Sequence, residues 1–372
     1  MSDRAGIKAK KRWVVKVGSA LLTNDGEGLH RDTVVSLAEQ IAFLRDQDTE
    51  VILVSSGSVA AGVSQLGMTT RPSKLNDLQA AAAVGQASLV RHYEDAFQPF
   101  GINTAQVLLT HSDIANRARY LNAKSTLMRL LKLGVLTIVN ENDTVATDEI
   151  CFGDNDSLGS LVANLVEADL LVILTDQNGL YTADPRSNPD AQLLSEVRAN
   201  DETLMGMATG GTSIGRGGMV TKLSAAQIAS RSGASTIIAN GREPQILERL
   251  YNGETLGTLL LASDRVASKK QWMAGQMRIA GKVMVDAGAE KVLMQLGRSL
   301  LPVGVTLVEG EFKRGELISC VNQADVEIAR GLSNYSAEEV EVLKGQPSEK
   351  IAELLKYSGD HELIHRDNLV LL

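Results

Sequence analysis

Leu170-Leu171-Val172-Ile173-Leu174-Thr175-Asp176-Gln177-Asn178-Gly179-Leu180-Tyr181-Thr182-Ala183-Asp184-Pro185-Arg186 is the stretch on which the fold turns. It opens as an unbroken apolar run, the pattern of a strand buried on both faces, and Asn178-Gly179 then marks a tight turn. In a doubly wound α/β sheet, ligands bind just beyond the carboxyl ends of the strands, which puts Thr175 and Asp176 where a ligand is expected. Taken alone, the same residues also read as a surface turn stopped by Asp184-Pro185.

Similar apolar runs recur at Trp13–Val17, Val51–Ser55, Thr104–Leu109, Leu136–Val139 and Thr236–Ala239. Amphipathic segments separate them, at Arg31–Arg45, Leu75–Phe97, Arg119–Leu133 and Ser157–Val166. The alternation predicts βαβ units, an α/β domain with a mostly parallel sheet, and right-handed crossovers that gather the strand ends on one edge. With 372 residues there is length for two domains. The character changes around Ala262–Ala274, where Ser263-Asp264-Arg265 and Ser268-Lys269-Lys270 read as a polar linker. Short β-branched segments follow at Lys282–Val285, Thr306–Val308, Leu317–Cys320 and Val326–Ala329, with helical stretches near Ala337–Leu343 and Ser348–Leu355. The expected division is a catalytic domain over 1–262, a linker over 263–276 and a small β-rich domain over 277–372.

Composition narrows the function. Aromatics are only 3% while Ala, Val and Leu abound, which suits tightly packed helices on a parallel sheet. A net charge of −8 argues against a nucleic-acid protein. From Met277 onward 11 basic residues face 15 acidic ones, a poor footprint for RNA. Cys151 and Cys320 make no metal or redox spacing and read as reduced thiols. Lys8, Lys10, Lys11 and Arg12 precede too short an apolar run for a signal peptide, and no stretch has the length of a membrane span. The reading is cytoplasmic, away from membranes. His30, His92, His111, His361 and His365 form no triad or metal pattern and read as surface or packing residues.

Chemistry gathers after the strands. Lys16 stands in the first apolar run, where an unpaired ammonium is costly to bury, so a bound anion is a natural partner; a lysine snorkelling at the strand end is the plainer reading. Ser55-Ser56-Gly57-Ser58 leads from strand to Ala-rich helix, an anion-receptive N-terminus or a simple cap by Ser58. Asn140-Glu141-Asn142-Asp143 and Gly153-Asp154-Asn155-Asp156 put acids and amides into two further loops, able to hold an ammonium or orient a lysine, or else to form a turn and a helix cap. Gly215-Arg216-Gly217-Gly218-Met219-Val220-Thr221-Lys222 opens onto the helical pattern Leu223–Ser232. Its glycines permit close approach to phosphate oxygens, and Lys222 adds a point charge in the first turn; a plain Gly-rich connection is the alternative. No Gly-x-x-x-x-Gly-Lys-Ser/Thr motif occurs, which excludes a Walker-type site.

Taken in order, Lys16-Val17-Gly18-Ser19, Val54-Ser55-Ser56-Gly57, Asn140-Glu141-Asn142-Asp143, Phe152-Gly153-Asp154-Asn155-Asp156, Leu174-Thr175-Asp176, Tyr181-Thr182-Ala183-Asp184-Pro185 and Gly217-Gly218-Met219-Val220-Thr221-Lys222 closely resemble the glutamate 5-kinase family over essentially the whole chain. These are amino-acid kinases with a C-terminal PUA domain, which Phe312-Lys313-Arg314-Gly315-Glu316 and Ala329-Arg330-Gly331-Leu332-Ser333-Asn334-Tyr335 resemble. The Thr-Asp and Tyr-Thr-Ala-Asp-Pro elements are shared with other amino-acid kinases; the Ser-Ser-Gly, Asn-Glu-Asn-Asp and Gly-Asp-Asn-Asp loops discriminate better. The resemblance implies a three-layer αβα sandwich with a mostly parallel sheet, plus a small β-rich PUA domain.

It also implies phosphorylation of the γ-carboxylate of L-glutamate by ATP, the first step toward proline, with Mg²⁺ held mainly by the ATP phosphates and no protein residue as a direct metal ligand. Lys16, Lys222 and Asp156 carry over as catalytic, Asp156 by orienting the lysines. Ser56, Asp143 and Asn155 carry over to glutamate. Lys16, Thr175, Asp176, Arg216, Gly217, Gly218, Met219, Val220, Thr221 and Lys222 carry over to ATP. Feedback inhibition by proline, a homo-oligomer (dimer or tetramer) and functional coupling to glutamyl phosphate reductase belong to the same expectation; RNA binding, which PUA domains often show, is a rival reading that the charge balance disfavours. Two positions depart from the pattern: Cys151 stands where some members carry lysine, and Arg216 where a small hydroxyl residue is common. The nearest rivals are kinases of N-acetylglutamate, aspartate or uridylate; an acetylglutamate kinase is expected to show a Gly-Gly pair in place of Ser55-Ser56-Gly57.

Overall fold

The computed structural model describes residues 3–23, 28–146, 155–209, 218–262, 279–357 and 359–371. Residues 1–115 and 122–268 form one compact unit, and 269–372 the body of a second. The expected linker, 263–276, lies outside the described residues.

The first unit holds an eight-stranded sheet. Its strands are β1 (Arg12–Val17), β2 (Glu50–Ser55), β3 (Thr104–Leu109), β4 (Leu136–Glu141), β5 (Leu170–Thr175), β6 (Glu196–Arg198), β7 (Ser235–Asn240) and β8 (Thr258–Leu261), in the order β3-β4-β2-β1-β5-β7-β8-β6. All neighbours run parallel except β7 and β8. Central β1 and β5 are continuous apolar runs because helices cover both faces of such a sheet. The short strands β6 and β8 escaped the sequence pattern. Neither has the length or alternation that marks a strand, and tertiary pairing at the sheet edge makes them.

The helices that matter for the site are α1 (Arg31–Asp46), α2 (Ser58–Gln65), α3 (Leu75–Phe97), α4 (Arg117–Lys132), α5 (Asn155–Leu165) and α6 (Met219–Ser230). On one face of β1, Trp13, Val15 and Val17 join a large core with Leu37, Ile41 and Leu44 of α1 and Leu89, Tyr93 and Phe97 of α3. Helices α2 and α3 cross with their backbones almost touching. A Cβ on Gly62 would lie 1.7 Å from the Ala81 carbonyl oxygen, and one on Gly85 would lie 1.9 Å from that of Ser58. Only glycine fits at either position. The crossing thereby fixes where α2 begins, immediately after β2. Gly57, at φ 103°, makes the turn between them in a conformation that a side chain would strain.

Register puts the strand ends level. Val17 of β1 pairs with Ser55 of β2 and with Leu174 of β5, Val54 pairs with Val139 of β4, and Thr175 pairs with Asn240 of β7. The carboxyl ends of five strands therefore share one edge.

The second unit is a five-stranded sheet of β9 (Gly281–Val285), β10 (Val305–Gly310), β11 (Leu317–Val321), β12 (Glu327–Leu332) and β13 (Leu369–Leu371), ordered β10-β9-β11-β12-β13. It has its own core, with Val283, Val285, Phe312, Ile318, Cys320 and Tyr335. Burial pushes the Cys320 thiol up to about 12, so it acts there as a small apolar group. Helix Ala287–Leu296 was missing from the sequence reading. Its signals were Asp286, which caps it by accepting from Ala289 N–H at 2.7 Å, and Gly297 in the left-handed region at its end.

Candidate active site

Lys16 breaks the apolar run of β1 because its side chain leaves the strand on the face opposite Trp13, Val15 and Val17. Its stem lies against Gly159 of α5, and Gly159 shares a helix face with Asp156 one turn earlier. The ammonium ends 2.6 Å from Asp156 Oδ1. From α6, Lys222 Nζ lies 3.0 Å from Asp156 Oδ2, which also accepts from Thr221 Oγ1 at 2.9 Å. All three charged side chains are at least nine-tenths buried, so Lys16 does not snorkel.

Burial by itself would raise the Asp156 carboxyl; Lys16 and Lys222 outweigh that and hold it below the ordinary carboxylate range. Its contribution to stability is present above the ordinary carboxyl pKa and is lost only as pH falls through the depressed one. One carboxylate between two ammonium groups leaves a net positive centre. The N-terminus of α6 opens beside it, with Gly218 offering no side-chain cap to the first N–H groups. Uncapped N–H groups, helix dipole and buried lysines together favour a phosphate-like anion.

Helix α5 starts at Asn155, two residues before the expected Ser157, and its first two residues serve different neighbours. Asn155 Nδ2 donates to the Ser55 carbonyl at 2.7 Å and to Asn140 Oδ1 at 2.8 Å. Asn140 Nδ2 in turn donates to Gln86 Oε1 of α3 at 2.7 Å. Ser55 Oγ shares a hydrogen bond with Tyr93 at 2.9 Å. Ser58 does not cap α2: its hydroxyl donates to Asp143 Oδ2 at 2.8 Å, across the ends of β2 and β4.

Burial pushes the Asp143 carboxyl up to about 6; nearby Glu141 adds to the rise, while the Ser58 hydrogen bond and Arg71 oppose it. Glu141 is itself buried, 3.7 Å from His111 Nδ1, a pairing that the sequence reading of His111 did not anticipate. Ser56 is buried at the β2 end beside this group.

Thr175 and Asp176 stand at the end of β5, next to β1, where Gly18 N–H donates to the Leu174 carbonyl at 3.2 Å. Thr175 Oγ1 donates to Asp176 at 3.1 Å. The following segment ends in a surface turn closed by a bidentate Asp184–Arg186 pair. Gly218, Met219, Val220 and Thr221 form the start of α6. Arg216, Gly217, Cys151 and the Phe152-Gly153-Asp154 part of the loop before α5 lie outside the described residues. Gln86 is the participant that sequence reading missed, since nothing in its Ala-rich helix marks it.

A mostly parallel sheet with anion-receptive helix starts and two buried lysines on one carboxylate at its carboxyl edge is the arrangement of a phosphotransferase of the amino-acid kinase type. The amino acid kinase family profile matches residues 11–240, and the PUA domain profile matches 281–355. The glutamate 5-kinase of Pseudomonas putida (strain GB-1) is 57% identical over 371 residues, covering 99% of this chain and all of its own. That of Methylobacillus flagellatus is 59% identical over 364 residues, covering 97% of this chain and 98% of its own. Among solved structures, carbamate kinase from Giardia lamblia bound to AMP-PNP matches with a TM-score of 0.51 at 20% identity, over 69% of this chain and 100% of that one, which supports the fold alone. The chain therefore belongs to the amino acid kinase family and, within it, to the glutamate 5-kinases that carry a PUA domain.

Proposed function

We propose that this kinase transfers the γ-phosphoryl group of ATP to the γ-carboxylate of L-glutamate, giving glutamyl 5-phosphate and ADP. The observation that carries the reading is the pair of buried lysines clamped on Asp156 beside a neutral network of amides. A carboxylate is already a nucleophile at neutral pH, so no general base is needed, and catalysis becomes a matter of alignment and charge neutralisation. Lys16 and Lys222 stabilise the phosphoryl oxygens as the bond to ADP breaks and the bond to the substrate carboxylate forms. Asp156 holds both ammonium groups in place. Thr175, Asp176 and the start of α6, with Arg216 and Gly217 before it, bind the nucleotide. Ser56, Asp143 and Asn155 bind glutamate, whose ammonium suits the Asp143 carboxylate.

Mg²⁺ fits as part of the ATP complex. Asp156 is already committed to two ammonium groups, and among the described residues no three acidic, histidine or cysteine side chains gather as a cage. When bound with ATP, the ion would draw charge off the phosphates. This transfer is the first step of proline formation from glutamate, and proline, in effect a cyclised glutamate, inhibits by competing at the glutamate side. The same reading includes domains over 1–262 and 277–372 joined by 263–276, a cytoplasmic homo-oligomer (dimer or tetramer), coupling to glutamyl phosphate reductase that consumes the labile product, and no RNA partner. No described helix is long and apolar enough to cross a membrane.

The test is acyl phosphate formation with ATP and Mg²⁺, trapped by hydroxylamine, for glutamate, N-acetylglutamate and aspartate side by side. Hydroxamate from free glutamate alone is expected. Activity with another acid would keep the mechanism and overturn the substrate. Unchanged activity at saturating proline would remove the feedback reading.

A further inference from the structure

The amide chain at the start of α5 has a direction, and the direction has a consequence. A backbone carbonyl can only accept, so Ser55 O fixes Asn155 with its Nδ2 inward. The other hydrogen of that Nδ2 goes to Asn140 Oδ1, which forces Asn140 Nδ2 outward to Gln86 Oε1. Both N–H groups of Asn155 are thereby consumed inside the protein. Its Oδ1 makes no hydrogen bond among the described residues and can only accept. At this position an acceptor-only amide reads a donor, and a free ammonium is the strongest donor an amino acid carries.

Gln86 closes the chain from its far end. Without an acceptor there, the nearly fully buried Asn140 amide would keep an unpaired N–H and would gain by reorienting, which sets donor against donor at Asn155. The Gln86 Nε2 is itself buried and has no hydrogen-bond partner among the described residues, where the side chain contributes to the network through its oxygen. Only an acceptor is being used at this point of α3.

We infer that Gln86 is a positioning residue for substrate selection: through Asn140 it holds Asn155 with its oxygen toward the ligand, so that the site selects acids bearing a free amine. The inference rests on the glutamate reading of this site.

The experiment is hydroxamate kinetics on the full-length protein with L-glutamate and with glutarate, the same diacid without the amine, for wild type, Gln86→Leu and Gln86→Glu. Gln86→Leu is expected to raise the KM for glutamate by about tenfold, the scale of one hydrogen bond to a charged group, with the KM values for glutarate and ATP unchanged. Gln86→Glu, which keeps an acceptor in place, is expected to bring the glutamate KM back toward wild type. Equal rises for both acids, or a fall in kcat alone, would overturn the role of Gln86. Failure of Gln86→Glu to recover the glutamate KM, with its melting temperature at the wild-type value, would overturn it too. Absence of glutamate hydroxamate from wild type would instead remove the glutamate reading, and the inference with it.

Discussion

Asn155 and Asp156 are adjacent at the start of one helix, yet they anchor two regions built on opposite physics. Asp156 sits in an ionic cluster, where a buried carboxylate is satisfied by two ammonium groups and a hydroxyl. Asn155 sits in a neutral network of amides, a backbone carbonyl and hydroxyls that runs from Ser55 to Gln86. On the proposed function, the contrast follows from what each region has to meet. A phosphoryl group in transfer carries charge that mobile cations can follow, so strong, costly charges are useful there. A zwitterionic amino acid has to be told apart from its acylated or amine-free relatives, and that depends on donor and acceptor directions, which neutral amides fix without long-range fields.

The sharpest way to break this division is to remove a charge from the ionic side. Lys222→Ala is expected to lower kcat by about a thousandfold, the scale of losing a preorganised charge on the transition state, with the glutamate KM within about twofold of wild type. Steady-state hydroxamate assays at saturating ATP check it. A large rise in the glutamate KM with kcat preserved would mean that Lys222 serves the amino acid instead.

Among the described residues beside the neutral network the strongly shifted acid is Asp143, with its carboxyl pushed up to about 6, chiefly by burial. In the ligand-free protein, its contribution to stability is present below the ordinary carboxyl pKa and is lost as pH rises through about 6. Binding an ammonium reverses the preference and favours the carboxylate. The KM for glutamate is therefore expected to climb by about tenfold per pH unit below that value and to level off above it. The KM for ATP, across the pH 5 to 8 range of such an assay, should show no matching inflection from Asp156, whose carboxyl is held low. Asp143→Asn should flatten the glutamate profile.

A smaller effect tests the frame beneath the neutral side. Gly85→Ala drives a Cβ into the Ser58 carbonyl where α2 starts. A loss of about 1–3 kcal/mol of stability is expected from overpacking, read as a lower midpoint in urea, together with a modest rise in the glutamate KM.

Much of the architecture was legible because apolar runs of strand length are hard to mistake. Thr104–Leu109 and Leu75–Phe97 fall where their patterns place them, and β1, β2, β4, β5 and β7 extend the expected runs by a residue or two. Lys16 was legible for a chemical reason, since an ammonium inside such a run demands a partner. The partner's identity follows from α5 packing on β1 and α6 packing on α5. The relay was not legible: Asn140 was marked with its loop, but Gln86 lies 54 residues away and is unremarkable in its Ala-rich helix. Ser58 was misread as a possible cap for the same reason, because its acceptor, Asp143, lies 85 residues away.

The most direct test of the division is a pair of titrations by calorimetry, glutamate and ATP–Mg²⁺ separately, on Asn155→Ala and Asp156→Asn. Asn155→Ala is expected to lose glutamate affinity and keep that for ATP, while Asp156→Asn, with both lysines deprived of that carboxylate, is expected to keep glutamate affinity within a few-fold and lose turnover. Loss of both ligands in both variants, with the proteins still folded by circular dichroism, would mean that the start of α5 is one undivided site, contradicting the account.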